Sequence, residues 1–333
     1  MTDSLRNIKN LIGNTPLVEI SFKYKGKDLK IYSKLEYYNI AGSIKDRIAY
    51  YILSEAYRTG EIKPGDTIVE ATSGNTGIAF CAVGARLGHP VIIYMPDWMS
   101  EERKRIITSF GAKIELVSEE EGGFIGSIEK AEKYAAENKN VFLPRQFENI
   151  NNVMGQYNGV GKELVSNLDA LGLVPDAFVG GVGTGGTVMG VNKAFKEVNP
   201  DSLSFPMEPE ESPTLSTGGK VGKHRIAGIS DEFIPEILKL DELGHVVTVP
   251  DGDAILMAQK LAKSGLGVGI SSGGNFVAAV KVLEELGHDK IVTTVFADDN
   301  KKYLTTDLMN MEPAKDRYVS SHIEITDIKG YRF

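Results

Sequence analysis

Three stretches of this chain put reactive or anion-binding groups at the starts of helices. The first is Asn39-Ile-Ala-Gly-Ser-Ile-Lys-Asp-Arg47. Ser43 suits a helix N-cap, with Asp46 three residues on as its capping-box partner. Ile44, Ile48, Tyr51, Ile52 and Ala56 then recur at helical spacing until Gly60. Lys45 therefore falls in the first turn of a helix with an apolar face. Positive charge there opposes the helix dipole. An amine tied up as a Schiff base, or one of depressed pKa, suits the position better than an ordinary ammonium. On position alone, a solvated lysine is the commoner case. The second stretch is Thr72-Ser-Gly-Asn-Thr-Gly77, between an apolar run at 67–71 and a helical run reaching Gly88. Backbone N–H groups and the dipole make such a loop receptive to a carboxylate or phosphate, although a merely well-capped helix reads the same way. The third is Asp176-Ala-Phe-Val-Gly-Gly-Val-Gly-Thr-Gly-Gly-Thr187, followed by a helical run at 188–195. Its glycines let the backbone close around a phosphate, and its threonine hydroxyls donate. It lacks the Gly-Lys-Ser/Thr of a P-loop, and no ribose-binding acid is identifiable after it.

The elements that must position these loops alternate along the chain. Strand-like segments at 30–36, 67–71, 91–96, 113–117, 204–209, 246–250 and 291–297 are interleaved with helical runs at 100–110, 128–137 and 254–263. This predicts an α/β protein with largely parallel sheets. A chain of 333 residues suits two packed subdomains. The net charge of −8 disfavours a nucleic-acid or acidic-membrane partner. The mixed run Glu101-Glu-Arg-Lys-Arg105 reads as a solvated helix face, because mixed signs on one helix mark a surface far more often than a nucleic-acid site. Cys81 is the single cysteine, and the histidines are scattered, so neither a disulfide nor a metal site is expected. No apolar run approaches membrane-spanning length, and the first residues lack a signal-peptide pattern. A cytoplasmic location is the expectation.

A series of motifs, in order along the chain, resembles the cysteine synthase/cystathionine β-synthase family, whose fold type II enzymes use pyridoxal 5′-phosphate (PLP). Ile12-Gly-Asn-Thr-Pro-Leu17 matches the family near its start, without chemistry attached. The nonapeptide resembles the family's Asn-Pro-x-Gly-Ser-(Val/Ile)-Lys-Asp-Arg, whose lysine carries the cofactor. The resemblance implies that Lys45 is that lysine and the acid–base residue. It implies that Thr72, Ser73, Asn75 and Thr76 hold the substrate carboxylate, with Asn75 also at the cofactor's ring oxygen. Gln146, in a segment similar to the family's Gln-Phe-x-Asn, is implied to close on that carboxylate. The family's following Pro-Ala-Asn reads Ile150-Asn-Asn here. Gly183, Thr184, Gly185, Gly186 and Thr187 inherit the cofactor phosphate. Ser271, in Gly269-Ile-Ser-Ser-Gly273, inherits the pyridine nitrogen. A serine hydroxyl leaves the ring a weaker electron sink than an aspartate would, which favours β-chemistry. The implied fold sets a smaller mobile subdomain (40–148) against a larger one (13–39 plus 149–310), with the cofactor between them. A tail (311–333) is expected to pack on a partner subunit. A homodimer without haem or regulatory regions, acting on a small amino acid, is the implied assembly.

One segment departs from the pattern. Arg225-Ile-Ala-Gly-Ile-Ser-Asp-Glu-Phe-Ile-Pro235 resembles the sulfhydrylase sequence Ile-x-Gly-Ile-Gly-Ala-Gly-Phe-x-Pro. Gly228 and Ile229 keep their places, while Ser230, Asp231 and Glu232 replace small residues. In the family this loop lies over the reacting end of the substrate. Two acids there crowd the pocket against anionic nucleophiles and offer a general base for water, unless they point to solvent. Asp231, nearer Gly228, is the first choice, with Glu232 second. Asp298-Asp-Asn in place of the family's Ser-Gly-Glu is a further altered wall. The expected activity is PLP-dependent β-replacement or β-elimination. Its preferred direction runs from L-cysteine to hydrogen sulfide, with water giving L-serine or a second thiol adding to the aminoacrylate. The alternatives are an O-acetylserine sulfhydrylase making cysteine, and a catalytically silent PLP-fold binding protein.

Overall fold

The computed structural model describes residues 3–72 and 74–333. In chain order the first half comprises α1 (Asp3–Lys9), β1 (Leu17–Tyr24), β2 (Lys27–Leu35), α2 (Lys45–Thr59), β3 (Thr67–Ala71), α3 (Asn75–Leu87), β4 (Val91–Pro96), α4 (Glu101–Ser109), β5 (Lys113–Val117), α5 (Gly123–Glu137) and β6 (Val141–Phe142). The second half comprises α6 (Ile150–Gln156), α7 (Lys162–Asp169), β7 (Ala177–Gly181), α8 (Gly186–Val198), β8 (Leu203–Pro209), α9 (Thr214–Thr217), β9 (Val247–Val249), α10 (Asp251–Lys263), α11 (Ile270–Leu286), β10 (Val292–Phe296) and β11 (Ile323–Tyr331).

Two sheets result. The smaller runs β5-β4-β3-β6 and is parallel throughout. The larger runs β11-β1-β2-β10-β7-β8-β9. It is parallel from β2 to β9, with β1 antiparallel to both of its neighbours. Its central strands are covered on both faces, as β7 and β10 show by burying nearly every residue. The apolar stripe of α2, through Ile48, Ile52 and Ala56, packs with Ile78 and Phe80 of α3 into the core of the smaller sheet. The sequence expectation of an α/β protein with largely parallel sheets holds.

The lysine helix starts where the two sheets meet. The Ile44 N–H donates to Ala297 O at 2.9 Å, and Ser43 bridges Asp298. The start of α2 is thereby pinned to the carboxyl end of β10. The expected capping box forms only in part. Ser43 Oγ accepts from the Lys45 N–H at 3.2 Å, but Asp46 reaches past Ser43 to the Ala41 N–H at 2.7 Å. Gly60 ends α2 in a left-handed conformation, as expected.

One expectation needs correction. Helix α5 starts at Gly123 rather than 128. Within the segment 311–333, strand β11 pairs along the whole of β1 and forms the edge of the larger sheet.

Candidate active site

The carboxyl ends of β3, β7 and β10 and the starts of α2, α3, α8 and α11 converge on one cleft. Ligands bind in this position in open α/β sheets. The cleft and its open mouth together span about 860 Å³ of atom-free space. Lys45 lines it. Burial holds its amine below the ordinary lysine range, with the Asp231 carboxylate opposing that shift. Among the described residues, Nζ makes no hydrogen bond or ion pair. That suits an amine kept for a covalent partner.

The anion loop after β3 is braced by Gln146. The Thr76 hydroxyl donates to Gln146 Oε1 at 2.7 Å, and Gln146 Nε2 donates to Ala71 O at 3.0 Å. Thr72 Oγ1 accepts from the Gly74 N–H at 3.1 Å. Thr72, Thr76 and Gln146 are all buried and line the cleft. Ser73 lies outside the described residues. Asn75 also faces the cleft, and its amide is committed at both ends. Nδ2 donates to Asp298 Oδ2 at 2.8 Å, and Oδ1 accepts from Lys302 Nζ at 2.9 Å. Tyr303 donates to the same Asp298 oxygen at 2.8 Å. The altered wall at 298–303 therefore fixes the orientation of Asn75.

The glycine loop forms a cradle at the start of α8. A Cβ on Gly183 would stand 2.6 Å from Gly228 O, and Gly185 has φ +85. Only glycine lets these two backbone segments approach so closely. Gly183, Thr184 and Thr187 line the cleft, while Gly185 and Gly186 are buried behind them. Asn152 donates from Nδ2 to Thr184 Oγ1 and to Gln146 O, both at 2.8 Å. Its side chain ties the cradle to Gln146, which braces the loop after β3. The third residue of the family's Pro-Ala-Asn is thus retained where it is needed, and the departure is confined to Ile150 and Asn151. Ser271 is buried in the first turn of α11 and lines the same cleft.

The 225–235 segment separates its two acids. Asp231 lines the cleft, where burial pushes its carboxyl up to about 6 against the opposing charge of Lys45. Glu232 is exposed and does not line the cleft. Ser230, between Asp231 and Gly228, sits at φ +56. Its N–H donates to Val182 O at 2.8 Å and its hydroxyl to Ser212 O at 2.8 Å. Gly228 stands at the exposed mouth.

Arg103 is the residue that the sequence reading misplaces. It belongs to the charged run expected to be a solvated face, yet it is buried and lines the cleft. Its spacing of four from the fully buried Ile107 puts both on one helix face, a signal that the sequence does carry.

The donor set fits PLP. An amine of depressed pKa that makes no hydrogen bond or ion pair among the described residues, a glycine cradle at a helix start and a buried serine near the sheet's end converge on one cleft. These features define a cofactor enzyme whose chemistry runs through a lysine. A family model described as pyridoxal-phosphate dependent enzyme matches residues 8–298. The chain is 39% identical over 309 residues to a probable cysteine synthase of Bacillus subtilis, covering 92% of this chain and 99% of that protein. A hydrogen sulfide-producing enzyme of Fusobacterium nucleatum is 58% identical, with a TM-score of 0.97 and 99% of both chains covered. An Asp→Asn variant of a hydrogen sulfide-producing enzyme, in complex with an α-aminoacrylate intermediate, is 57% identical, with a TM-score of 0.98 over 100% of both chains. The chain belongs to the pyridoxal-phosphate dependent enzyme family and is a cysteine synthase-like PLP enzyme. No helix among the described residues is long and apolar enough to cross a membrane.

Proposed function

We propose that this enzyme converts L-cysteine and water to L-serine and hydrogen sulfide. The observation that carries the reading is the Asp231 carboxyl, lining the cleft with Lys45 at a place where sulfhydrylases have a small residue. The Asp→Asn variant with α-aminoacrylate of the 57%-identical enzyme supports an aspartate acting late in such a reaction.

Bound through Lys45, PLP supplies the electron sink that makes Cα acidic and lets the β-substituent leave. Thr72, Thr76 and Gln146 dock the substrate carboxylate, with Ser73 assigned to the same task. Gly183, Thr184, Gly185, Gly186 and Thr187 hold the cofactor phosphate, Asn75 its ring oxygen and Ser271 its ring nitrogen. The Lys45 amine, freed when the substrate amine takes its place on the cofactor, would take the Cα proton. The C–S bond breaks with its electron pair on sulfur, which leaves as hydrosulfide. Asp231 then takes a proton from a water as its oxygen adds to Cβ. That proton passes to hydrosulfide, Lys45 returns the proton at Cα, and L-serine and hydrogen sulfide result. Glu232, at the solvent side, acts on the charge of Asp231 rather than on the substrate. The reading includes a homodimer located in the cytoplasm, with 40–148 as the subdomain that closes.

Cysteine synthesis from O-acetylserine and sulfide is the second reading, supported by the Bacillus subtilis relative. The holoenzyme with cysteine alone decides between them. Sulfide and serine in equal amounts is the expected result. Sulfide with pyruvate instead of serine removes water activation from Asp231. Inertness to cysteine, with cysteine formed from O-acetylserine and sulfide, overturns the proposal.

A further inference from the structure

Two buried arginines differ in their surroundings. Arg47 is 4% exposed and is neutralised by Glu36 and Glu163, each at 2.6 Å. Arg103 is 6% exposed and pairs with no carboxylate among the described residues. Its guanidinium lies over the Tyr303 ring, 5.1 Å from the centroid, and its Nη1 reaches Ser100 Oγ only at 3.5 Å. A desolvated charge without a close ion pair is unfavourable, and the Glu102 carboxylate acts on it only at a distance, so a nearer counter-charge from outside the protein would stabilise it. The carboxylate loop makes room for this side chain. A Cβ on Gly74 would stand 2.7 Å from both Cδ and Nε of Arg103. The side chain therefore runs close beside the loop and lines the cleft, and a guanidinium is a planar fork suited to a carboxylate.

We propose that Arg103 recognises the carboxylate of an amino-acid ligand in this cleft. The inference rests on the amino-acid chemistry proposed above. Two carboxylates are available: that of the first substrate, and that of a second amino-acid thiol entering as nucleophile. Arg103 is the cationic contact for whichever of them reaches it. The other donors at the loop are neutral, so it supplies the full charge they lack.

Calorimetric titration of the holoenzyme with L-alanine, which has no leaving group, and with L-alaninamide separates charge recognition from loop support. Arg103→Gln is expected to weaken L-alanine by at least ~10-fold while leaving L-alaninamide within about 2-fold, with Arg103→Lys restoring part of the loss. In a second arm, L-homocysteine and 2-mercaptoethanol compete with water during cysteine consumption. A rise in KM for homocysteine alone, with alanine binding unchanged, assigns Arg103 to the second amino acid. A change in neither arm overturns the proposal. Equal weakening of alanine and alaninamide, or equal effects on both thiols, also overturns it by reducing Arg103 to a support for the loop. Alanine binding needs no turnover. A failure of the cysteine-to-serine reading would therefore leave this test intact.

Discussion

Asp231→Asn keeps the shape of the side chain and removes its basicity. Serine formation from cysteine is expected to fall by at least ~100-fold, the usual range for losing a general base, with cofactor content unchanged. Glu232→Gln, on the exposed neighbour, is expected to alter serine formation by less than about 3-fold, because solvent screens charges there. Product analysis by amino-acid chromatography checks both. The pH dependence follows from the carboxyl pushed up to about 6 by burial. A base must be ionised, so the serine share is full above pH 6 and declines as pH falls through it. The Asp231→Asn variant should lack that limb. A parent whose serine share is flat from pH 5 to 8 would exclude Asp231 as the base. At this scale the sequence was informative because the roles are tied to residue type. A lysine at a helix start and an acid in place of a small residue are both visible in a string. Which of two adjacent acids faces inward is not, because that depends on the left-handed turn at Ser230.

That turn is also where the element scale can be tested. Ser230 at φ +56 carries a backbone penalty of roughly 1–2 kcal/mol that glycine would not. Its hydroxyl offsets part of this by donating to Ser212 O at 2.8 Å and lying 3.3 Å from Thr214 Oγ1. Ser230→Gly relieves the strain and loses these bonds, so stability is expected to stay within ~1 kcal/mol of the parent. Ser230→Ala loses the bonds and keeps the strain, for a loss of about 1–2 kcal/mol. Urea melts of the two variants are the check, and an equal loss in both would mean that the turn is unstrained. Other elements were legible to different degrees. Helix α2 was readable because its apolar stripe and terminal Gly60 are local signals. The start of α5 was not, because Gly122 and Gly123 read as loop residues. Close packing explains the nearby glycine, since a Cβ on Gly126 would stand 2.1 Å from Glu121 O. No periodicity of apolar residues reports a contact of that kind.

Across the whole molecule, the least legible feature was long-range pairing. Strand β11 lies against β1 from the opposite end of the chain, and nothing local in either segment names the other. Burial of single carboxyls is equally a property of the complete fold. Burial pushes Asp46 up to about 7, Glu70 up to about 8 and Asp251 up to about 7. Each leaves one carboxyl oxygen without a hydrogen bond among the described residues, and the cations near them, such as Arg225 at 3.7 Å from Asp251, do not offset their burial. All three values lie above those of the unfolded chain, so folding takes up protons between about pH 4 and pH 8. Their contribution to stability is full below the unfolded values and is lost as pH rises through the folded ones. Glu163, held down at about 2 mainly by Arg47 despite its burial, works in the opposite sense, but only below this window. Glu70 isolates the effect, being fully buried on β3 just before the loop that leads into α3. Its Oε1 accepts from the Ala71 N–H at 3.0 Å, a bond that glutamine can keep. Glu70→Gln is therefore expected to stabilise the protein by roughly 2–4 kcal/mol at pH 8 and by little at pH 5. Urea unfolding at the two pH values measures the difference. A variant that gains nothing at pH 8 would mean that Glu70 is ionised in the fold and finds its counter-charge there.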